Sequence, residues 1–193
     1  MPLNYFLCKA KPDIKFNNNS FSKLCMIKAF FVGRFQPFHN AHLIDVFEIL
    51  KKSDWIIIGI GSSREKNTAR NPFSYAERKK MITMSLTAEG IKNFSIFPVP
   101  DFYDDKKWIR YIKTNLAPFD AAYSGNKETL RCFRLHKVNA IKLRLREGTS
   151  STKIRKMIAN KQNWKKLVPR HVAQFICEIK GEDRITIAAD FDF

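Results

Sequence analysis

His39 and His42 lie in the ten-residue stretch GRFQPFHNAH, which also carries Gly33, Arg34, Gln36 and Pro37. Imidazole and guanidinium N–H groups gathered in so short a space suit the binding of an anion, a phosphate above all. Gly and Pro in a loop are also ordinary turn formers, and a single His there is most often a solvated side chain. Zinc is a second reading of histidines at i and i+3, but no nearby Cys or carboxylate completes a tetrahedral set.

Four further stretches carry chemistry. Arg64 to Phe73 is polar and basic and contains Arg70. The loop around Asp101, Phe102 and Trp108 is aromatic and acidic, which suits a flat ring with sugar hydroxyls, although Trp108 also fits as a core residue of a helix. Ser124, Gly125 and Asn126 follow a short apolar run, and Asn126 is a natural helix cap. In GTSSTKIR, capping accounts for Ser150 and for Thr152, but Arg155 stands one turn into a helix, where a cation opposes the dipole and is better explained by a bound anion.

These residues need a scaffold, and the apolar periodicity describes one. Ile27 to Val32 has the composition of a buried strand, and Leu43, Val46, Phe47 and Leu50 recur at helical spacing, so the histidine stretch is a strand-to-helix hinge. In open α/β sheets ligands bind there, against the free N–H groups of the helix start. Further strands are expected at Trp55 to Ile60, Phe94 to Val99, from Phe119, and at Ala140 to Leu145, the last alternating Ile141, Leu143 and Leu145 with Lys142 and Arg144 as an edge strand does. Ser74 and Glu77 form a capping box for a helix to about Leu86, and a single helix is expected within Trp164 to Ile185. The expected fold is a Rossmann-like α/β sheet of about five parallel strands, with helices on both faces and a small helical C-terminal part.

With 193 residues, 45% of them hydrophobic, the chain fits one domain over residues 26–193. Residues 1–25 hold Pro2, Pro12 and an Asn run and read as an extension, with Met26 a plausible natural start. The charge of +17 points to anionic partners, a nucleic acid or phosphorylated small molecules alike. Four Cys residues without a CxxC pair suit a reducing compartment, and no apolar run reaches membrane-spanning length, so a cytoplasmic protein is expected. Gly59-Ile60-Gly61-Ser62-Ser63 is not a dinucleotide fingerprint, since Arg64 occupies the third Gly position, and no P-loop occurs.

GRFQPFHNAHL resembles the signature of the HxGH nucleotidylyltransferases, and specifically of the archaeal-type nicotinamide mononucleotide (NMN) adenylyltransferases. The family's Gly between the histidines is Ala41 here. The blocks GSSREKNTARNPFSYAERKKMI, PVPDFYDDKKW, YSGN, the SxTxxR pattern at Ser150, Thr152 and Arg155, and WKKLVP…EIKGEDRI continue the resemblance in order over about residues 27 to 185. The resemblance implies direct in-line attack of the NMN phosphate on the α-phosphorus of ATP, with Mg²⁺ spreading the charge. It puts His39, His42, Arg34 and Arg155 at the reacting phosphates. Gly33, Phe35, Arg70, Ser124, Gly125, Asn126, Ser150 and Thr152 fall to ATP. Ser62, Asp101, Phe102 and Trp108 fall to NMN, with Trp108 stacking on the nicotinamide. It further implies a homo-oligomer, a hexamer in particular, with no membrane and no requirement for nucleic acid. Another phosphorylated acceptor, phosphopantetheine or FMN, and a catalytically weakened nucleotide or RNA sensor remain the alternatives.

Overall fold

A computed structural model describes residues 26–190 apart from Leu145 and Glu147; the proposed N-terminal extension and the last three residues lie outside the described part. Five parallel strands, β1 (Lys28–Gly33), β2 (Trp55–Ile60), β3 (Phe94–Pro98), β4 (Ala121–Ser124) and β5 (Ala140–Lys142), form one sheet in the order β3-β2-β1-β4-β5. The chain builds outward from β1 through β2 to β3, then crosses back to lay β4 on the other side of β1. The switch in direction therefore falls between β1 and β4, where two connections diverge and a crevice opens at the carboxyl ends.

Helices α1 (Asn40–Leu50), α2 (Tyr75–Ala88), α5 (Ser151–Ala159), α6 (Arg170–Glu178) and α7 (Gly181–Asp190) supply one apolar layer, and α3 (Asp105–Asn115) and α4 (Lys127–Leu135) the other. β1 serves both layers: Ala29 and Phe31 face the first, Phe30 and Val32 the second, and all four are buried. A central strand covered on both faces needs such a continuous apolar run. No helix among the described residues is long and apolar enough to cross a membrane.

The expected elements are found, with β3 ending one residue early at Pro98, β4 starting two residues late at Ala121, and three further adjustments. β1 starts at Lys28 because the N–H of Ile27 bonds the Asp54 side chain at 2.9 Å outside the ladder. β5 is indeed an edge strand, but only Ala140–Lys142 pair, and Leu145 lies outside the described residues. The single helix expected within Trp164 to Ile185 is three elements: a 3₁₀ turn at Lys165–Leu167, then α6, then α7. Pro169 sets the start of α6, and Lys180, at φ 53°, redirects the chain before Gly181. A Cβ on Gly181 would lie 2.8 Å from the Phe73 ring, so the break brings α7 against the loop before α2.

Gly59, in the middle of β2, makes room for the Phe30 ring, which a Cβ there would meet at 2.5 Å. Gly59→Ala is expected to destabilise the fold by about 1–3 kcal/mol through overpacking, read as a lower urea midpoint with an unchanged m-value.

Candidate active site

The crevice at the carboxyl ends of the strands is a cavity of about 1090 Å³. Its floor is the hinge between β1 and α1. His39 is the N-cap of α1 in extended conformation (φ −140°, ψ 171°), and its Nδ1 accepts the His42 N–H at 3.4 Å. In return, Nδ1 of His42 accepts the His39 N–H at 3.3 Å, so the two imidazoles make a reciprocal capping box. The rings stack with centroids 3.5 Å apart and an interplanar angle of 15°. His42 is further held by Phe35 and Phe38, at centroid distances of 4.8 and 5.5 Å.

This arrangement fixes the protonation chemistry. Because each Nδ1 accepts a backbone N–H, each neutral ring carries its proton on Nε2. Burial pushes His39 down to about 4, and burial followed by repulsion from His39 pushes His42 well below the ordinary histidine range. Both residues line the cavity, and at neutral pH they are uncharged donors.

The positive charge comes from arginine. Arg34, at the end of β1, has a buried Nη1 without a hydrogen-bond partner. Burial and then the neighbouring Arg70 lower its pKa, while Asp101 opposes the shift. Arg155 is lowered to about 10 by burial and by Arg34 and Arg70. Arg34 and Arg70 line the cavity, while Arg155 is turned to the Gln36 carbonyl and acts on them from behind the wall; mutually repelling guanidinium groups so placed make a site for a polyanion.

Arg78, on α2, is fully buried and organises the cavity wall. Nη1 donates to the carbonyls of Arg34 (2.9 Å) and Gly61 (2.7 Å), Nη2 to Ser62 (2.9 Å) and Nε to Ser74 (3.2 Å). Burial lowers its pKa to about 10, so it stays charged at neutral pH. Gln36 ties the hinge to the same loop before α2, donating to the Phe73 carbonyl at 2.8 Å and accepting the Phe73 N–H at 3.0 Å. From α5, Arg155 donates to the Gln36 carbonyl at 2.9 Å and Ser151 to the Pro37 carbonyl at 3.0 Å.

Residues 30–157 match the cytidylyltransferase-like family. The chain belongs to that family. Among curated relatives it is 40% identical over 161 residues to a nicotinamide-nucleotide adenylyltransferase of Methanococcus aeolicus, covering 82% of this chain and 93% of the relative. A protein of the same name from Picrophilus torridus is 37% identical over 168 residues, covering 86% and 99%. The fold also matches a crystal structure of a bifunctional NMN adenylyltransferase/ADP ribose pyrophosphatase from Francisella tularensis complexed with AMP and a manganese ion. The TM-score is 0.69 at 24% identity, with 86% of this chain covered. The chain spans about half, 54%, of that bifunctional protein.

Of the residues singled out in the sequence, Gly33, Arg34, His39, His42, Ser62, Arg70, Asp101, Phe102, Trp108, Ser124, Gly125, Asn126 and Ser150 line this cavity, and Arg155, Phe35 and Thr152 do not. Several are also committed to the fold. Asn126 caps α4 through the Thr129 N–H (3.0 Å), Ser150 caps α5 through the Lys153 N–H (3.1 Å), and the Ser124 hydroxyl donates to Val32 across the switch point (3.2 Å). The Phe35 ring is buried against Phe31 and His42, so Phe35 can offer a ligand only its backbone. Thr152 accepts a long hydrogen bond from Arg155 (3.4 Å) behind the wall.

The charges of the loop before Trp108 are used up locally, since Asp104 caps α3 and Asp105 pairs with Arg131 at 3.3 Å. Trp108 rests on Phe133 with centroids 5.2 Å apart. Sequence reasoning missed Arg78, Asn71 and Asp45. Arg78 hides in the run Glu77-Arg78-Lys79-Lys80, although its helical phase with Ile82, Ser85 and Leu86 marks the buried face. Asn71 lines the cavity with a buried, unpaired Oδ1.

Three outcomes are expected. Nitrogen-shift spectra should show both imidazoles as Nε2–H tautomers at pH 7, with His39 protonating only near pH 4. Between its unfolded value of 6.5 and about 4 the unfolded chain binds the proton and the folded chain does not, so acidification favours unfolding. That loss is on the order of 3 kcal/mol once both forms are protonated. Asp45, raised by burial to about 6, contributes with opposite sign over the same range, so the slope is read as wild type minus His39→Asn, which keeps an N-cap acceptor. Arg78→Met, of similar bulk but without donors, leaves the Arg34 and Gly61 carbonyls unpaired, while Ser62 and Ser74 keep their backbone donors, and should lower stability by about 3–5 kcal/mol in urea titration.

Proposed function

We infer that this protein joins the AMP moiety of ATP to NMN, giving NAD and pyrophosphate, a step of NAD biosynthesis. The reading is carried by one observation. A chain more than a third identical to nicotinamide-nucleotide adenylyltransferases over nearly their whole length presents two neutral imidazole donors within a cluster of arginines at the start of a helix.

The chemistry follows from that cluster. The triphosphate of ATP lies across the starts of α1 and α5, held by Arg34, Arg70, Arg155 and the free N–H groups there. NMN enters from the β2 and β3 side, its ring on Trp108 and its sugar and amide near Ser62, Asp101 and the Phe102 backbone. A phosphate oxygen of NMN attacks the α-phosphorus in line, the P–O bond to the β-phosphate breaks, and pyrophosphate leaves with its electron pair. The Nε2–H groups of His39 and His42 donate to the oxygens that gain charge in the transition state. Because they are uncharged, they stabilise without trapping the product as a full ion pair would. Positioning and electrostatics carry the rate, and no covalent intermediate is needed.

Mg²⁺ belongs to this proposal as part of the Mg²⁺-ATP substrate, held by phosphate oxygens and spreading their charge. The manganese ion beside AMP in the Francisella tularensis protein supports use of a divalent metal. We extend the proposal to a single catalytic domain from residue 26, a cytoplasmic location and a homo-oligomer, a hexamer in particular, which light scattering would read directly.

The test is NAD formation and pyrophosphate release from Mg²⁺-ATP with NMN, beside nicotinic acid mononucleotide, phosphopantetheine and FMN. NAD appearing in step with pyrophosphate is the expected result; release only with another acceptor would retire Trp108 as a nicotinamide platform. His42→Ala should lower kcat by roughly 10²-fold or more, the loss of a transition-state donor, and unchanged turnover would sink that role.

A further inference from the structure

The charged residues of the cavity wall divide it into three regions. Arg34 and Arg70 surround the helix-start region, and Asp101 stands on the β3 side with Trp108. The third region lies on the β5 side, bounded by Leu143, Arg144, Arg146 and Thr149 from the connection between β5 and α5, and by Asp45 from α1. Asp45 is buried, yet it belongs to the wall of a site built for a polyanion. A carboxylate facing phosphates would repel them by several kcal/mol at short range in a medium of reduced dielectric. Arg144 and Arg146 offset its charge there, and what Asp45 itself adds to the wall is a hydrogen-bond acceptor, which suits a part of the substrate that carries donors.

Asp45 lies one turn beyond His42 on α1, about 4.5 Å further along the helix axis at 1.5 Å per residue. With the triphosphate at the helix starts and the acceptor nucleotide on the β3 side, the β5 side is left for the nucleoside half of ATP. One carboxylate oxygen of Asp45 lies 3.5 Å from Arg146 Nε, and that buried N–H finds no hydrogen-bond geometry with it. The contact orients the carboxylate and leaves its lone pairs available. Burial raises the Asp45 carboxyl to about 6 while Arg146 pulls it back, so it is chiefly an ionised acceptor at neutral pH.

We propose that Asp45, held by Arg146, is the acceptor that reads the nucleoside half of the triphosphate substrate, through its ribose hydroxyls or its exocyclic amine. This rests on ATP as the adenylyl donor. Asp45 is then a specificity residue: it favours nucleotides that present a donor at that point over those that present an acceptor or nothing.

The experiment compares wild type and Asp45→Asn with ATP, 2′-deoxy-ATP, 3′-deoxy-ATP and the triphosphate of purine riboside, which lacks the 6-amino group. Turnover with NMN is measured alongside calorimetric binding of each nucleotide. In wild type, the analogue missing the contacting donor should fall at least about tenfold in kcat/KM and affinity, the scale of an unpaired buried acceptor. Asp45→Asn should lose a similar factor with ATP, chiefly in KM, and lose little more with that analogue, while KM for NMN stays within about twofold. A 2′- or 3′-deoxy effect assigns the contact to ribose, and a purine riboside effect assigns it to the base. Equal handling of all four nucleotides by wild type overturns the proposal, as does a variant that weakens every nucleotide by the same factor, because Asp45 would then only anchor the Arg146 segment. Absence of NAD from wild type, with nucleotide binding intact, would instead overturn the NMN reaction and leave the binding series to decide Asp45.

Discussion

One buried guanidinium holds the cavity in shape. Arg78 donates to the carbonyls of Arg34, Gly61, Ser62 and Ser74, which belong to the ends of two adjacent strands and the start of α2. The Arg34, Gly61 and Ser62 carbonyls lie just past the strand ends, where the ladder has stopped. A charged, fully buried side chain without a carboxylate partner is expensive, and only this set of carbonyl dipoles makes it tolerable. The same contacts turn the Arg34 and Ser62 backbones into fixed points of the cavity wall.

The clamp is continuous with the C-terminal helices. Ser74, which accepts from Arg78, caps α2 in a capping box with Glu77, and Glu77 receives both terminal nitrogens of Arg184 on α7, at 2.9 and 3.3 Å. Burial alone would raise the Glu77 carboxyl, but the Arg184 and Ser74 hydrogen bonds together hold it below the usual range. The helices after the sheet thus support the site from behind rather than merely covering the core. Gln36 and Arg155 do the same on the α5 side, through bonds to main-chain groups of neighbouring loops.

Charge and donor geometry are divided between residue types. Arginine supplies a field that keeps its sign at any physiological pH, and the surplus of cations over the whole chain, +17, extends it toward solvent. The histidines supply direction. Their reciprocal contacts with the α1 backbone make them neutral Nε2–H donors, an assignment set by a cap and not by a third acidic residue. Ala41, buried between them, lines the cavity with its methyl group.

Much of this was legible in the sequence because its causes are local. Continuous apolar runs marked β1 and β2, Ser74 with Glu77 and Asn126 and Ser150 marked helix starts, and the order of polar blocks at strand ends placed the site on one sheet edge. Spacing alone brought His39 and His42 together, since the cap that joins them spans three residues. What the sequence could not settle depends on partners far along the chain. Arg78 reads as one more solvated cation until β1 and β2 lie beside α2, and Asp45 reads as a surface helix residue until the connection after β5 crosses α1. The length of β5 and the breaks before α6 and α7 likewise follow from what those segments pack against. Local hydrogen bonding and periodicity determined the elements and most of the cavity-lining groups; burial, which is a property of the assembled molecule, decided which charges became structure and which stayed open to the cavity.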